Sequence, residues 1–212
     1  MLHRFFDHLY QPAFGVDGQR APLTLWRTVW RVTMQYFTLG RFSDVISLTT
    51  SSLEFRSDPS PHLLVRFVNG KNDMFSEGSE RVVPSSPEAP QYCPVRLTRL
   101  YLNRLGPNYF GYLIPRCSPR SGSATPASPN PTLPLSYCTA LEDFRDLLTC
   151  LGYDPKSYGE HSGKRGGASE AASAGLPLPD LQRLGGWRSQ TMPAKYTDLP
   201  AEKRIRLASH LL

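Results

Sequence analysis

The sequence predicts a mainly α-helical fold that carries one small antiparallel β-hairpin. Three observations lead to it. Apolar residues recur at helical spacing through "TLWRTVWRVTMQYF" (24–37). Two later stretches carry helix start and stop signals, "PVRLTRLYLNRLG" (94–106) and "TALEDFRDLLTCLG" (139–152). One pair of short apolar runs, "LLVRFV" (63–68) and "ERVVP" (80–84), flanks a turn-rich segment.

The elements follow in chain order. Residues 1–21 read as an irregular lead-in. In the first helix, Leu25, Val29, Val32 and Tyr36 fall on one face, and Trp26, Trp30, Thr33 and Phe37 fall on the next. That breadth predicts burial on most sides. Gly40 interrupts it, and "SDVISL" (43–48) starts a short helix with Ser43 or Asp44 near its N-terminus. The hairpin spans the runs at 63–68 and 80–84, joined by "NGKNDMFSEGS". The next helix opens with Pro94 in its first turn and closes at Gly106. Residues 115–136 are rich in Pro and Ser and predict a long exposed loop. Thr139 and Glu142 form a capping-box pattern for the following helix, and Gly152 is its stop. Further helices are expected at 162–174, 179–184 and 189–197, with a tail helix from Pro200. No internal repeat is visible. The segment before the Pro/Ser loop holds too few elements to fold alone, so 22–212 is expected to be one domain with the loop on its surface.

Composition bounds the function. The 212 residues suit one domain, and a hydrophobic content of 40% supports a core. Lys and Arg number 24 against 18 Asp and Glu, for a net charge of +6. A moderate basic excess suits a polyanion such as nucleic acid, and also many proteins that bind none. Cys93, Cys117, Cys138 and Cys150 form no C-x-x-C pair and have no His at ligand spacing, so no metal is expected, zinc included. The N-terminal "MLHRFFDHLYQPAF" carries charge and lacks the apolar run of a signal peptide. No stretch approaches the ~18 apolar residues of a membrane helix. An intracellular protein with reduced thiols is expected, with no membrane partner.

Candidate chemistry concentrates between Gly159 and Tyr196. Singly, Tyr196 reads as a core or surface residue of a C-terminal helix, Trp187 as a packing residue after the "GG" turn, and His161 as a capping or core histidine. Together, "HSGKRGG" (161–167), "LGGWRS" (184–189) and Tyr196 nine positions after Trp187 resemble the C-terminal half of the tyrosine recombinase (phage integrase) family. Upstream, "YFTLGRFSDVISLTTSSLEF" is similar to that family's first motif, with Arg41 after a glycine and Asp44 three positions on. "VRFVNGKNDMFSEGSERVVP" is similar to its lysine-bearing hairpin, here with Lys71. "LSYCTALEDFRDLLTCLGYDPKSYGEHS" resembles the approach to the His motif in recombinases of eukaryotic mobile elements. The resemblance spans about residues 22–200, in the family's order.

The resemblance implies the tyrosine recombinase catalytic-domain fold and a DNA-cutting, DNA-rejoining activity on double-stranded DNA. Tyr196 would be the nucleophile, forming a 3′-phosphotyrosyl intermediate. Arg41 and the residue at 164 would clamp the phosphate, His161 and Trp187 would support it by hydrogen bonds, and Lys71 would protonate the departing 5′-oxygen. Asp44 would orient Arg41 or buttress the fold. Arg165, Arg188 and Lys195 are candidates for flanking phosphate contacts, or ordinary solvated charges. No metal or cofactor is required. The resemblance also implies a homo-oligomer on DNA, a synaptic tetramer, and a nuclear location in a eukaryote or a cytoplasmic one otherwise.

Two departures stand out. The family's second arginine falls at Lys164, which keeps the charge and loses the planar fork. Arg165 is adjacent but turned about 100° around a helix. About 20 residues precede the catalytic-type region, so the family's usual N-terminal core-binding domain is expected to be absent. These departures keep a second reading open: a catalytically impaired, DNA-binding remnant of a mobile-element recombinase. A third, a helix-turn-helix regulator built on "GASEAASAGLPLPDLQRLGG", leaves Arg41, Lys71 and Tyr196 unexplained.

Overall fold

The computed structural model describes residues 1–68, 79–118, 128–189, 191, 193–195 and 209. Its centre is α2 (Leu23–Thr38), predicted from the sequence as a helix buried on most sides. Trp26, Trp30, Val29 and Met34 are all within 1% of full burial. Each indole finds an acceptor, Gly18 O for Trp26 and Thr98 Oγ1 for Trp30, both at 3.0 Å. A buried indole N–H would otherwise cost most of what its ring contributes.

The chain before α2 is not irregular as expected. Leu2–Leu9 forms α1, and Phe5, Phe6 and Leu9 are buried in the main core. Leu2, Phe5, Phe6 and Leu9 lie on one helical face, and that apolar face docks on the core with Phe5 edge-on to Phe144.

α2 also carries charge into the core. Arg31 pairs with Glu160, donates to Ala140 O at 3.1 Å, and shares Gln35, whose Nε2 donates to Glu160 O at 2.7 Å. Arg27 pairs with Asp143 and donates to Pro115 O at 2.7 Å. These bonds join α2 to α5 (Tyr137–Cys150) and to the turn that leads into α6 (Ser162–Ser173).

α3 (Phe42–Ile46) follows α2 directly. The expected hairpin is present as β2 (His62–Phe67) and β3 (Ser79–Pro84), and β1 (Leu53–Arg56) adds an edge strand the sequence did not reveal. The order is β1-β2-β3, antiparallel throughout, with Val65 opposite Arg81. On the solvent face Arg66 bridges Glu54 and Glu80. α4 (Pro94–Leu105) begins and ends where Pro94 and Gly106 place it, with Cys93 Sγ accepting the Arg96 N–H.

The Pro/Ser stretch is not wholly loop. β4 (Pro115–Ser118) and β5 (Ser128–Pro134) form a two-stranded ribbon, mostly exposed as expected. α5 starts earlier than the Thr139–Glu142 pattern suggested. Its N-cap is Ser136, whose Oγ accepts the Thr139 N–H at 3.2 Å. Gly152, with φ of 76°, takes the chain out of the helix as expected. α6 and α7 (Leu178–Gly185) match the predicted helices. Of the helix expected at 189–197, Ser189 lies in a bend, Thr191 in a turn and Pro193–Lys195 in a short 3₁₀ turn, and the tail helix expected from Pro200 lies outside the described residues apart from Ser209. Among the described residues no helix is long and apolar enough to cross a membrane.

Candidate functional site

The site begins where α2 ends. Leu39 takes a left-handed conformation, φ 51°, and Gly40 follows in a space where a Cβ would lie 2.9 Å from both Thr38 Oγ1 and Val45 Cγ2. The chain therefore turns sharply, and Arg41 becomes the N-cap of α3. Asp44, three residues on, accepts the Arg41 backbone N–H at 3.0 Å. That bond fixes where Arg41 leaves the backbone and places a carboxylate at the start of α3, where the helix dipole favours it.

α6 reaches this point because it carries almost no side-chain bulk on one face. A Cβ on Gly163 would lie 2.9 Å from Gln35 Cβ, and one on Gly167 would lie 2.8 Å from Leu39 Cδ2 and run into the Tyr36 carbonyl. Glycines four apart thus let α6 lie against α2 backbone to backbone. Lys164, between them in sequence, is driven inward and is 3% exposed. Arg165, one step around the helix, is exposed, as the 100° turn required.

α7 supplies the third part. Two glycines end it, each for a separate reason. A Cβ on Gly185 would lie 2.5 Å from Trp187 Cε3, and Gly186 holds φ 60° with no room for a side chain beside Arg81. The Trp187 ring folds back over the helix end, 6% exposed, and packs with Leu39, Ala168, Ala172 and Leu181 in a small second core beneath the site. Lys164 Nζ sits 4.6 Å from the Trp187 ring centroid. Gln182 fixes this end of the chain: its Nε2 donates to Trp187 O at 2.9 Å and to Arg188 O at 3.2 Å.

These groups act on one another electrostatically. Burial pushes the Lys164 amine down to about 8, the Arg41 charge pushes the same way, Asp44 opposes, and Arg81 adds to the lowering. Arg81 is itself lowered by burial, with Asp44 opposing. Arg41, Arg81 and Asp44 thus all act on the Lys164 charge, and the cations outnumber the carboxylate. A local excess of positive charge in a partly desolvated pocket is what binds a phosphodiester and what stabilises the charge of its transition state.

Of the sequence-predicted residues, Arg41, Asp44, Lys164 and Trp187 come together. His161 is the N-cap of α6, exposed, one turn before Lys164. Arg188 is exposed just beyond Trp187. Lys71 and Tyr196 lie outside the described residues, as does the side chain of Lys195. Arg81 and Gln182 were not singled out from the sequence. Strand alternation holds the one available signal for Arg81: it shares a face with buried Val83, so its side chain points toward the body of the domain rather than to solvent.

No protein-family model and no curated protein matches the chain by sequence. Its shape does match solved structures. XerA recombinase superposes with a TM-score of 0.64 at 16% identity, over 99% of this chain and 61% of that one. A Tn1549 transposon integrase in complex with a circular intermediate DNA gives 0.57 at 15%, over 99% of this chain and 63% of that one. Flpe in a Holliday junction complex gives 0.56 at 13%, over 97% of this chain and 47% of that one. The chain thus spans between about half and just under two thirds of the proteins it resembles. A mostly helical domain with a three-stranded antiparallel sheet, matched end to end at this level, has the catalytic-domain fold of the tyrosine recombinases.

Proposed function

We propose that this chain is the catalytic domain of a site-specific DNA recombinase or integrase that cuts and rejoins double-stranded DNA through a 3′-phosphotyrosyl bond on Tyr196. The observation that carries the proposal is buried Lys164, which lies over the Trp187 ring and feels the Arg41 charge, so that three separate elements bring these residues to one place. Charge of that sign and density fits a phosphodiester better than any neutral substrate.

The Tyr196 oxygen attacks the phosphorus and its proton passes to water, the bond from phosphorus to the 5′-oxygen breaks, and Lys71 protonates that oxygen, regaining its own proton from solvent. The phosphate remains an ester, so the reverse step rejoins the strand without an energy source. Arg41 and Lys164 offset charge on the non-bridging oxygens, and His161 and Trp187 add hydrogen-bond donors. Arg165, Arg188 and Lys195 flank the DNA backbone. The charge role is filled by side chains, so the reaction as written uses no metal or cofactor. DNA-bound neighbours of the same fold, the transposon integrase and Flpe, support duplex DNA as the partner, and a synaptic homotetramer is part of the proposal by resemblance.

A second reading rests on one specific observation. Lys164 stands where the resemblance expects arginine, and its amine is pushed down to about 8. Such a site binds DNA while turning over slowly or not at all. Covalent capture separates the two: a pool of nicked duplexes is incubated with wild type, Tyr196→Phe and Lys164→Arg, then run on a denaturing gel. An adduct lost in Tyr196→Phe supports the strand transferase. An adduct formed only by Lys164→Arg supports the impaired remnant.

A further inference from the structure

We propose that Arg81 is an additional phosphate-binding residue of this site, one that supplies the planar, two-pronged donor that Lys164 cannot. The inference rests on the proposed function for its substrate class, a phosphodiester, and on geometry of its own for the residue.

Three observations converge on Arg81. The first is its position. β3 pairs with β2 so that Arg81 stands opposite Val65, on the face shared with buried Val83. That points a long cation inward, toward α6 and α7, instead of leaving it in the solvent-face ladder with Arg66, Glu54 and Glu80. The second is its seat. Gly186, in the turn before Trp187, has φ 60°, and a Cβ there would lie 2.7 Å from Arg81 Cζ and 3.3 Å from Nη1. The guanidinium rests on bare backbone where α7 ends, held also by an Nη1 bond to Glu80 O at 2.7 Å. The third is charge. Arg81 and Arg41 both act on Lys164, and Asp44 acts on both Arg81 and Lys164. Among the described residues neither Arg81 nor Arg41 has a carboxylate at ion-pair distance. Arg27, Arg31 and Arg96, by contrast, each hold one.

A half-buried guanidinium whose charge acts on a buried lysine is costly unless an anion joins it. A phosphodiester has two non-bridging oxygens and accepts a two-pronged donor from a guanidinium. Lysine at 164 presents a single point of charge over the indole, so Arg81 and Arg41 are the two forks that remain. The Gly185–Gly186 pair then has a double use: it folds Trp187 back and it opens the seat for Arg81.

The test uses the full chain, with inorganic phosphate as the probe, followed by 31P line broadening at pH 7. Wild type, Arg81→Gln, Arg81→Lys and Arg145→Gln are compared, the last an exposed cation on α5. Each variant's thermal midpoint is recorded first. The expected result is that Arg81→Gln binds phosphate about tenfold more weakly, the loss ordinary for one charge-assisted contact. Arg81→Lys recovers part of it, and Arg145→Gln matches wild type. Where Arg81→Gln melts well below wild type, Arg81→Lys, which keeps the aliphatic stem, carries the comparison: it must fall between wild type and zero binding. A folded Arg81→Gln or Arg81→Lys that binds phosphate as wild type does overturns the inference, and so does a wild type that takes up no phosphate. The nicked-duplex assay keeps the two proposals apart. Phosphate binding lost with Arg81, in a wild type that forms no adduct, sinks the strand-transfer reading and leaves Arg81 standing. An adduct formed equally by wild type and Arg81→Gln does the reverse.

Discussion

Lys164 makes a sharp pH prediction. Its amine is lowered from 10.5 to about 8, by burial first and by the Arg41 charge second. At pH 7 about nine in ten molecules carry the charge, and at pH 9 about one in ten. If phosphate binding uses the charged form, affinity falls as that fraction does, by up to about tenfold between pH 7 and 9. Lys164→Arg stays charged across the whole range. The assay is fluorescence anisotropy of a labelled duplex at fixed ionic strength, from pH 7 to 9.5. Wild type should weaken on the alkaline side, with a midpoint at or above 8, because bound phosphate draws the amine's pKa upward. Lys164→Arg should stay flat. Parallel curves for the two proteins would refute the reasoning, since the loss would then belong to other groups.

The same residue sets a stability prediction of defined sign. The folded pKa of Lys164 lies below its unfolded value, so between about 8 and 10.5 the unfolded chain holds more protons and this group's contribution rises with pH. Below pH 8 its full cost is present. Lys164→Met should therefore raise stability at pH 7 by about 1–2 kcal/mol, allowing for solvent reach to the amine, and the advantage should vanish above pH 10.5 in thermal melts. Gly167→Ala should cost about 1–3 kcal/mol, because α6 must move off Leu39 and Tyr36; urea midpoints measure it. Glu160→Ala strands Arg31 in the core and should cost about 3–5 kcal/mol, while the Arg31→Met, Glu160→Leu double variant should recover most of the loss. Gly186→Ala should mimic Arg81→Gln in phosphate binding, because the new methyl group occupies the guanidinium's seat.

What was legible in the sequence follows from the range of each interaction. The helical period of 24–37 and the stop signals at Gly106 and Gly152 are local, and the structure holds the corresponding elements. The order of the Arg41, His161–Lys164 and Trp187 motifs led to the fold because a site assembled from distant segments leaves its parts in sequence even when their meeting is invisible. α1 was readable and was missed: Leu2, Phe5, Phe6 and Leu9 make an apolar face, but eight residues lie at the short end of what periodicity can establish. β1 is four residues with two charges, and the β4–β5 ribbon is rich in proline, so neither reads as strand. The pairing of Arg31 with Glu160 joins residues 129 apart, and Arg81 meets Gly186 across 105 residues of sequence. No local pattern holds such information.

A covalent bond from Tyr196 to DNA is what distinguishes the proposed strand transfer from DNA binding alone. The direct measurement is the mass of the modified peptide. Wild type is trapped on nicked duplexes, the DNA is trimmed with nuclease, and the protein is digested with trypsin, which cuts after Lys195 and Lys203. The expected result is a nucleotide-phosphate mass on the peptide "YTDLPAEK", carried by its tyrosine and absent from Tyr196→Phe. An adduct mapped to any other residue, or one that persists in Tyr196→Phe, would contradict it.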